Sequence, residues 1–361
     1  MKLTLERRQG YGQWTLLLTI LGAVLVALAF GALLLLIVGV NPIEAYRLMF
    51  VGAFGSEFAT VDTLVKASPL LLTGLGVSLA LRANIWNIGA EGQLVMGGFA
   101  AAGVALFWSE WLPEPLLLPA VILAGFVGGA LWGLIPALLK IFGGVNEIVS
   151  TLMLNYVAVL WVEYLFFDAW RDPRGFGFPG TAEFPRAAWL PRLTGQLHIG
   201  IIFGLIIAAL IWFLLNRTTI GYEIRVQGKS PLSARYAGIN VMRNLMLVMF
   251  LSGGIAGLAG MGEVAGISHR MQNGLAVGYG FTALIVAFLG RLSPPGVIVA
   301  AVFVAGLSVG SEQLQLSMNL PASFALILQG AVLLCIAAGD LFLRYRVRLN
   351  VRPPSQQMVA E

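Results

Sequence analysis

The chain has 361 residues, 58% of them hydrophobic and 11% charged, with a formal net charge of +5. Soluble domains carry roughly 25% charged residues, so this length is not two soluble domains but a series of membrane spans of about 20 residues each. The single cysteine, Cys335, excludes an internal disulfide and a thiolate metal cluster, and the basic residues gather at helix ends, which argues against nucleic acid as a partner.

Apolar runs predict an all-α, polytopic helix bundle with about ten transmembrane helices, at 14–38, 61–81, 88–107, 117–139, 147–168, 198–215, 242–266, 276–290, 296–312 and 323–342. The first run is too long for a signal-peptide core and lacks a clear cleavage site, so it reads as a retained helix. The gaps divide by charge. One set collects Lys2, Arg7, Arg8, Arg82, Lys140, Arg217, Arg225, Lys229, Arg235, Arg243, Arg291, Arg344, Arg346, Arg348 and Arg352. The other, at 39–60, 108–116, 169–197, 267–275 and 313–322, holds Arg47, Arg171, Arg174, Arg186, Arg192 and Arg270, with Lys66 near the outer end of the second span. Fifteen against seven places the first set in the cytoplasm by the positive-inside rule. The expected organisation is a single transmembrane domain over 1–361. Its cytoplasmic parts are an N-terminal tail at 1–13, a loop at 216–241 and a C-terminal tail at 343–361. The shorter spans leave room for a helix that dips only partway into the bilayer. The gap at 169–197, rich in Pro, Gly, Arg and Trp, reads either as an ordered outer cap or as a plain connection. Gly125, Gly129 and Gly133 recur every fourth residue, as do Gly253 and Gly257. Small residues at that spacing let helices approach closely, within one bundle or at a dimer seam.

Within the 216–241 loop, Ser230 suits a helix N-cap, Pro231 the first helical position and Gly238 a left-handed stop. They predict a short helix at 231–237 outside the bilayer. Two readings are open: a knob gripped by a soluble motor, or a surface helix held by anionic lipid. Gly228-Lys229-Ser230 imitates the end of a phosphate-binding loop. The required glycine five residues before Gly228 is Glu223 instead, so the chain carries no ATPase of its own.

Polar groups inside a bilayer require a reason. Asn87, Glu91 and Gln93 open the third span, Asn146 and Glu147 open the fifth, Asn155 lies further along it, and Glu263 is deep in the seventh. Glu91 and Glu147 sit near helix N-termini, where a carboxylate is favoured. All of these residues, with Phe281, are candidates for lining a polar path. His198 and His269 are the only histidines and are far apart in sequence, which argues against a metal site.

Three motifs carry a resemblance. Asn84-Ile-Trp-Asn-Ile-Gly-Ala-Glu-Gly-Gln93, Val145-Asn-Glu-Ile-Val-Ser-Thr-Leu-Met-Leu-Asn-Tyr156 and Leu251-Ser-Gly-Gly-Ile-Ala-Gly-Leu-Ala-Gly260 are similar to the permease subunits of bacterial ABC importers. The family is the ribose and branched-chain amino acid permease group, and the nearest branch is the nucleoside and simple-sugar one. Phe281 to Arg291 fits that branch, and the resemblance covers about residues 40 to 345. It implies a transport subunit, not an enzyme, in the bacterial cytoplasmic membrane, with alternating access driven by a separate ATPase. It implies a second permease (a heterodimer favoured over a homodimer), two ATPase subunits that use ATP and Mg²⁺, and a periplasmic or lipoprotein substrate-binding protein. This chain would bind no cofactor. The coupling contact would map onto Gly228, Ser230, Pro231, Ala234, Tyr236, Ala237 and Gly238, and spans 2–5 and 7–10 would form an inverted repeat. The competing readings are a stand-alone secondary transporter using Glu91, Glu147 and Glu263, a branched-chain amino acid permease, and a membrane scaffold.

Overall fold

A computed structural model describes residues 2–7, 13–321 and 323–350. The expected tail segments at 8–12 and 351–361, with Arg8 and Arg352, lie outside the described residues. Helices dominate: α1 (Gln13–Ile37), α2 (Pro42–Phe54), α3 (Glu57–Arg82), α4 (Ala90–Phe107), α5 (Glu114–Gly143), α6 (Glu147–Phe167), α7 (Gly200–Arg217), α8 (Thr219–Lys229), α9 (Pro231–Tyr236), α10 (Val241–Gly262), α11 (Tyr279–Leu289), α12 (Pro294–Met318) and α13 (Ser323–Arg344). The fold is not purely helical. β1 (Lys2–Arg7) pairs antiparallel with β4 (Tyr345–Asn350), and β2 (Arg192–Thr194) pairs with β3 (Leu197–His198).

Ten spans are expected from the sequence, and fewer described helices have the length and composition to cross. Among the described residues seven helices are long and apolar enough to cross a membrane, or up to eight if α1 and α2 make one broken span. The seven are α3 to α7, α10 continued to Ser268, and α12. The gap expected at 39–60 is mostly helix. Asn41 Oδ1 accepts the Ile43 N–H, and α2 buries Ala45, Met49 and Ala53 on one side. The eighth expected span shrinks to α11, whose 11 residues reach about 17 Å, short of the roughly 30 Å hydrocarbon core. Gly274 and Gly278, at φ +99° and +91°, keep the preceding segment non-helical. The other boundaries shift less: α12 extends the ninth run to 294–318, and the 216–241 loop holds α8 as well as α9.

The chain forms two compact units, residues 1–44 with 326–361 and residues 45–325. In the first, α1 and α13 approach at small residues, so that a Cβ on Gly339 would stand 3.0 Å from Thr19 Cγ2. In the second, α3 and α10 are the central pillars. From Ala67 to Ala80 every residue of α3 is buried, as is every residue of α10 from Ser252 to Gly262. A helix apolar all round belongs inside a bundle. The four-residue glycine spacing works within this bundle. A Cβ on Gly257 would lie 2.9 Å from Gly129 Cα, and one on Gly133 would lie 3.2 Å from Gly253 Cα. α5 and α10 therefore meet backbone to backbone.

Candidate functional site

At one end of the bundle the chain turns through α8 and α9. Thr218 caps α8 by accepting the Gly221 N–H at 3.0 Å, and Ser230 caps α9 by accepting the Ser233 N–H at 3.1 Å. Pro231 stands at the first helical position, Ala237 is the C-cap, and Gly238 follows at φ +75°. The Ile239 N–H returns to the Ala234 carbonyl at 3.0 Å. Ala234 is buried, whereas Leu232 and Tyr236 on the opposite face are 64% and 87% exposed. Gly228 brings α8 onto the end of α3, where any Cβ would collide with the Arg82 carbonyl. Arg82 Nε donates to the Leu292 carbonyl at 2.9 Å, and Arg243 pairs with Glu223 at 2.7 Å. The expected helix at 231–237 is thus present, and its inner and outer faces are distinct.

The Asn84–Gln93 motif lies beneath this end, as the link between α3 and α4. Asn87 Nδ2 donates to Gln93 Oε1 and to Ser252 Oγ, both at 2.9 Å, and Gln93 Nε2 returns a bond to Asn87 Oδ1 at 3.0 Å. Ser252 Oγ donates to the Gly76 carbonyl at 2.8 Å. Asn155 Oδ1 accepts the Gly92 N–H at 2.8 Å, and its Nδ2 donates to the Ile88 carbonyl at 2.9 Å. Glu91 accepts the N–H groups of Gly278 at 2.7 Å and Gly280 at 2.5 Å, so it anchors the start of α11. Asn87, Glu91, Gln93 and Asn155 are all buried. A satisfied buried polar network specifies one arrangement of the elements it joins. Here it joins α3, α4, α6, α10 and α11.

The other expected path residues stand apart from this network. Asn146 is exposed and caps α6 by accepting the Ile148 N–H at 2.8 Å. Glu147 pairs with Lys140 at 2.5 Å across the α5–α6 corner. Glu263 opens a six-residue π-helical turn, Glu263–Ser268, that ends α10. Phe281, on α11, is 41% exposed. Lys66, on α3, pairs with Glu312, on α12, at 2.5 Å.

At the opposite end, residues 168–199 form an ordered cap. Trp170 packs between Phe99 and Phe107, with ring centroids 5.0 Å from each. The N–H groups of Thr181, Phe184 and Leu190 donate to the carbonyls of Met271, His269 and Ala265. The two histidines, distant in sequence, meet here. His269 stacks on Trp189 with centroids 3.8 Å apart, and its Nε2 accepts from Arg192 Nη2 at 2.9 Å. His198 Nδ1 accepts the Gly200 N–H at 3.0 Å, so its proton sits on Nε2. Burial first, and then the nearby Arg192 and His269, lower His198 to about 4. Burial likewise lowers His269. Sequence reasoning missed this cluster, because only the folding of the cap over α10 assembles it. Among the described residues no group of three or more His, Cys, Asp or Glu could hold a metal ion.

The family described as the branched-chain amino acid transport system permease component matches residues 59–337. Among curated proteins, the glucose ABC transporter permease protein TsgB13 of Haloferax volcanii is 37% identical over 96% of this chain and 94% of its own length. The guanosine ABC transporter permease protein NupP of Bacillus subtilis is 33% identical, over 90% of this chain and 93% of its own. The guanosine ABC transporter permease protein NupQ of the same organism is 31% identical, over 67% and 77%. The chain belongs to this permease family: it is a multi-pass membrane component of a transport system and not an enzyme.

Proposed function

We propose that this permease is one of two membrane subunits of an ATP-driven importer for nucleosides or simple sugars, in the cytoplasmic membrane of a bacterium with both chain ends inside. The observation that carries this reading is 37% and 33% identity with a glucose and a guanosine permease over 96% and 90% of this chain. The sorting of basic residues toward the α9 end supports the orientation.

Two ATPase subunits, which use ATP and Mg²⁺, grip α9. Tyr236 and Leu232 supply the contact, Gly228, Ser230, Pro231, Ala237 and Gly238 set the shape of the knob, and Ala234 anchors it to the bundle. Closure of the ATPases displaces α9. The close seat of Gly228 on Arg82 passes that displacement to α3, and the bundle rocks between inward and outward access without covalent chemistry. A substrate-binding protein, periplasmic or lipid-anchored, delivers solute at the cap end. That Bacillus subtilis has both NupP and NupQ supports a heterodimer over a homodimer. Asn87, Glu91, Gln93 and Asn155 frame the path, while Phe281, Glu263, Asn146 and Glu147 supply its contacts. A path framed by amides, with an aromatic face and carboxylate acceptors, suits a neutral solute carrying a ring and hydroxyls.

The test is uptake of labelled guanosine, glucose and leucine by cells carrying the assembled system. Guanosine or glucose should accumulate only while the ATPase gene is intact. Uptake without that gene, collapsing with an uncoupler, would establish a secondary transporter. Leucine as the transported solute would establish an amino acid permease.

A further inference from the structure

We infer that the cavity behind α9 is a binding site for a small cytosolic phosphate monoester bearing a planar ring, of the nucleoside monophosphate class, and that its occupancy acts on α9. The cavity measures about 430 Å³, within the roughly 300–1,000 Å³ of small-molecule sites. Five parts of the chain wall it: the α3–α4 link through Trp86, the α5–α6 corner through Lys140 and Glu147, α8 through Gln227, α9 through Arg235 and α10 through Met242.

Each kind of group calls for a different part of the ligand. Trp86 leans on Phe288, with centroids 6.0 Å apart, and keeps 40% of its surface exposed, which leaves indole surface for a ring to stack on. Lys140 is already paired with Glu147, whereas Arg235 forms no ion pair among the described residues. The three charges sum to one excess positive charge, and a guanidinium fork matches phosphate oxygens. Gln227 is 2% exposed, and its Oε1 has no hydrogen-bond donor among the described residues. That oxygen is closed to water, so Gln227 forms part of the wall and offers the ligand no acceptor. Inorganic phosphate lacks the ring, and a neutral nucleoside lacks the charge. A lipid phosphate could reach Arg235, but it brings no ring for Trp86.

Pro231 and Arg235 line the cavity, while Leu232 and Tyr236, about 100° further round α9, are exposed. A ligand holding Arg235 therefore restrains α9 through a side chain that borders its exposed face and leaves Leu232 and Tyr236 free. Binding rests on the cavity alone. The effect on transport rests on the coupling role and the orientation proposed above.

The experiment is equilibrium dialysis of radiolabelled AMP against the full chain in phosphatidylcholine nanodiscs. Saturable binding is expected. Trp86→Ala and Arg235→Gln should each weaken it by about tenfold, and Tyr236→Ala should leave it unchanged. Arg235 is exposed, so that variant keeps the test decisive if Trp86→Ala does not fold. Absence of binding at about 1 mM, insensitivity to Arg235→Gln, or equal competition by adenosine or inorganic phosphate would overturn the site. Loss of AMP binding in phosphatidylglycerol nanodiscs would assign the site to lipid and overturn it as well. In the assembled transporter AMP should alter the ATPase rate of the native chain and not of the Arg235→Gln variant. AMP bound with no change in rate would overturn the action on α9 alone.

Discussion

Glu91 carries its charge in the first turn of α4 and delivers it to another helix. Its two oxygens accept the N–H groups of Gly278 and Gly280, at the entry to α11, at 2.7 and 2.5 Å. Hydrogen bonds to a charged group contribute about 1.5–3 kcal/mol each. Glu91→Gln keeps the shape but removes the charge and turns an amide group toward an N–H. It should lower the thermal midpoint of the purified protein by several degrees, and an unchanged midpoint would refute the anchor. His198 predicts a pH dependence. Its folded value, about 4, lies below the ordinary 6.5, so below pH 6.5 the unfolded chain binds more protons than the folded one. Stability is therefore full above pH 6.5 and falls by about 1.4 kcal/mol per pH unit as pH drops toward 4. Melting curves across that window should show His198→Gln losing less stability than the native chain. Parallel curves would exclude His198 as the cause.

At the scale of elements, α5 and α10 are held by the absence of side chains. Without a hydrophobic drive between helices in lipid, close packing of small residues supplies the association. Gly257→Val would place branched carbon where Gly129 Cα is 2.9 Å from even a Cβ. The helices must then part, and the protein should fail to survive extraction into mild detergent as a monodisperse species. A monodisperse peak like that of the native chain would show that the contact yields. The caps of α9 belong to the same scale, and they were readable in advance because a cap involves neighbours within four residues. The lengths of α2 and α11 were not. Hydropathy registers an apolar run but not whether protein or lipid covers it, so a short helix pinned by Glu91 and a full span look alike in sequence.

At the scale of the whole molecule, the proposed orientation follows from the distribution of Arg and Lys. A cysteine introduced as Ser233→Cys, in a chain carrying Cys335→Ser, should react with a membrane-impermeant maleimide only after the cells are opened. Labelling in intact cells would invert the topology and place α9 out of reach of any cytoplasmic ATPase. The same sorting made the multi-pass class legible without coordinates, because the bilayer imposes its rules on composition directly. The permease family was legible too, since the Asn84–Gln93, Val145–Tyr156 and Leu251–Gly260 motifs are contiguous in the chain. The assignment of polar residues to a path was not. Asn87, Gln93 and Asn155 have the right chemistry for solute, yet they bond to one another and to backbone, and only their partners in α6 and α10 reveal that. The amino-acid order alone thus determined what acts locally or through the solvent: membrane class, helix caps, glycine seams and family. Tertiary structure decided what depends on meetings between distant segments. These include Glu91 on α11, the two histidines under one cap and the cavity behind α9, for a pairing energy exists only once folding has brought both partners together.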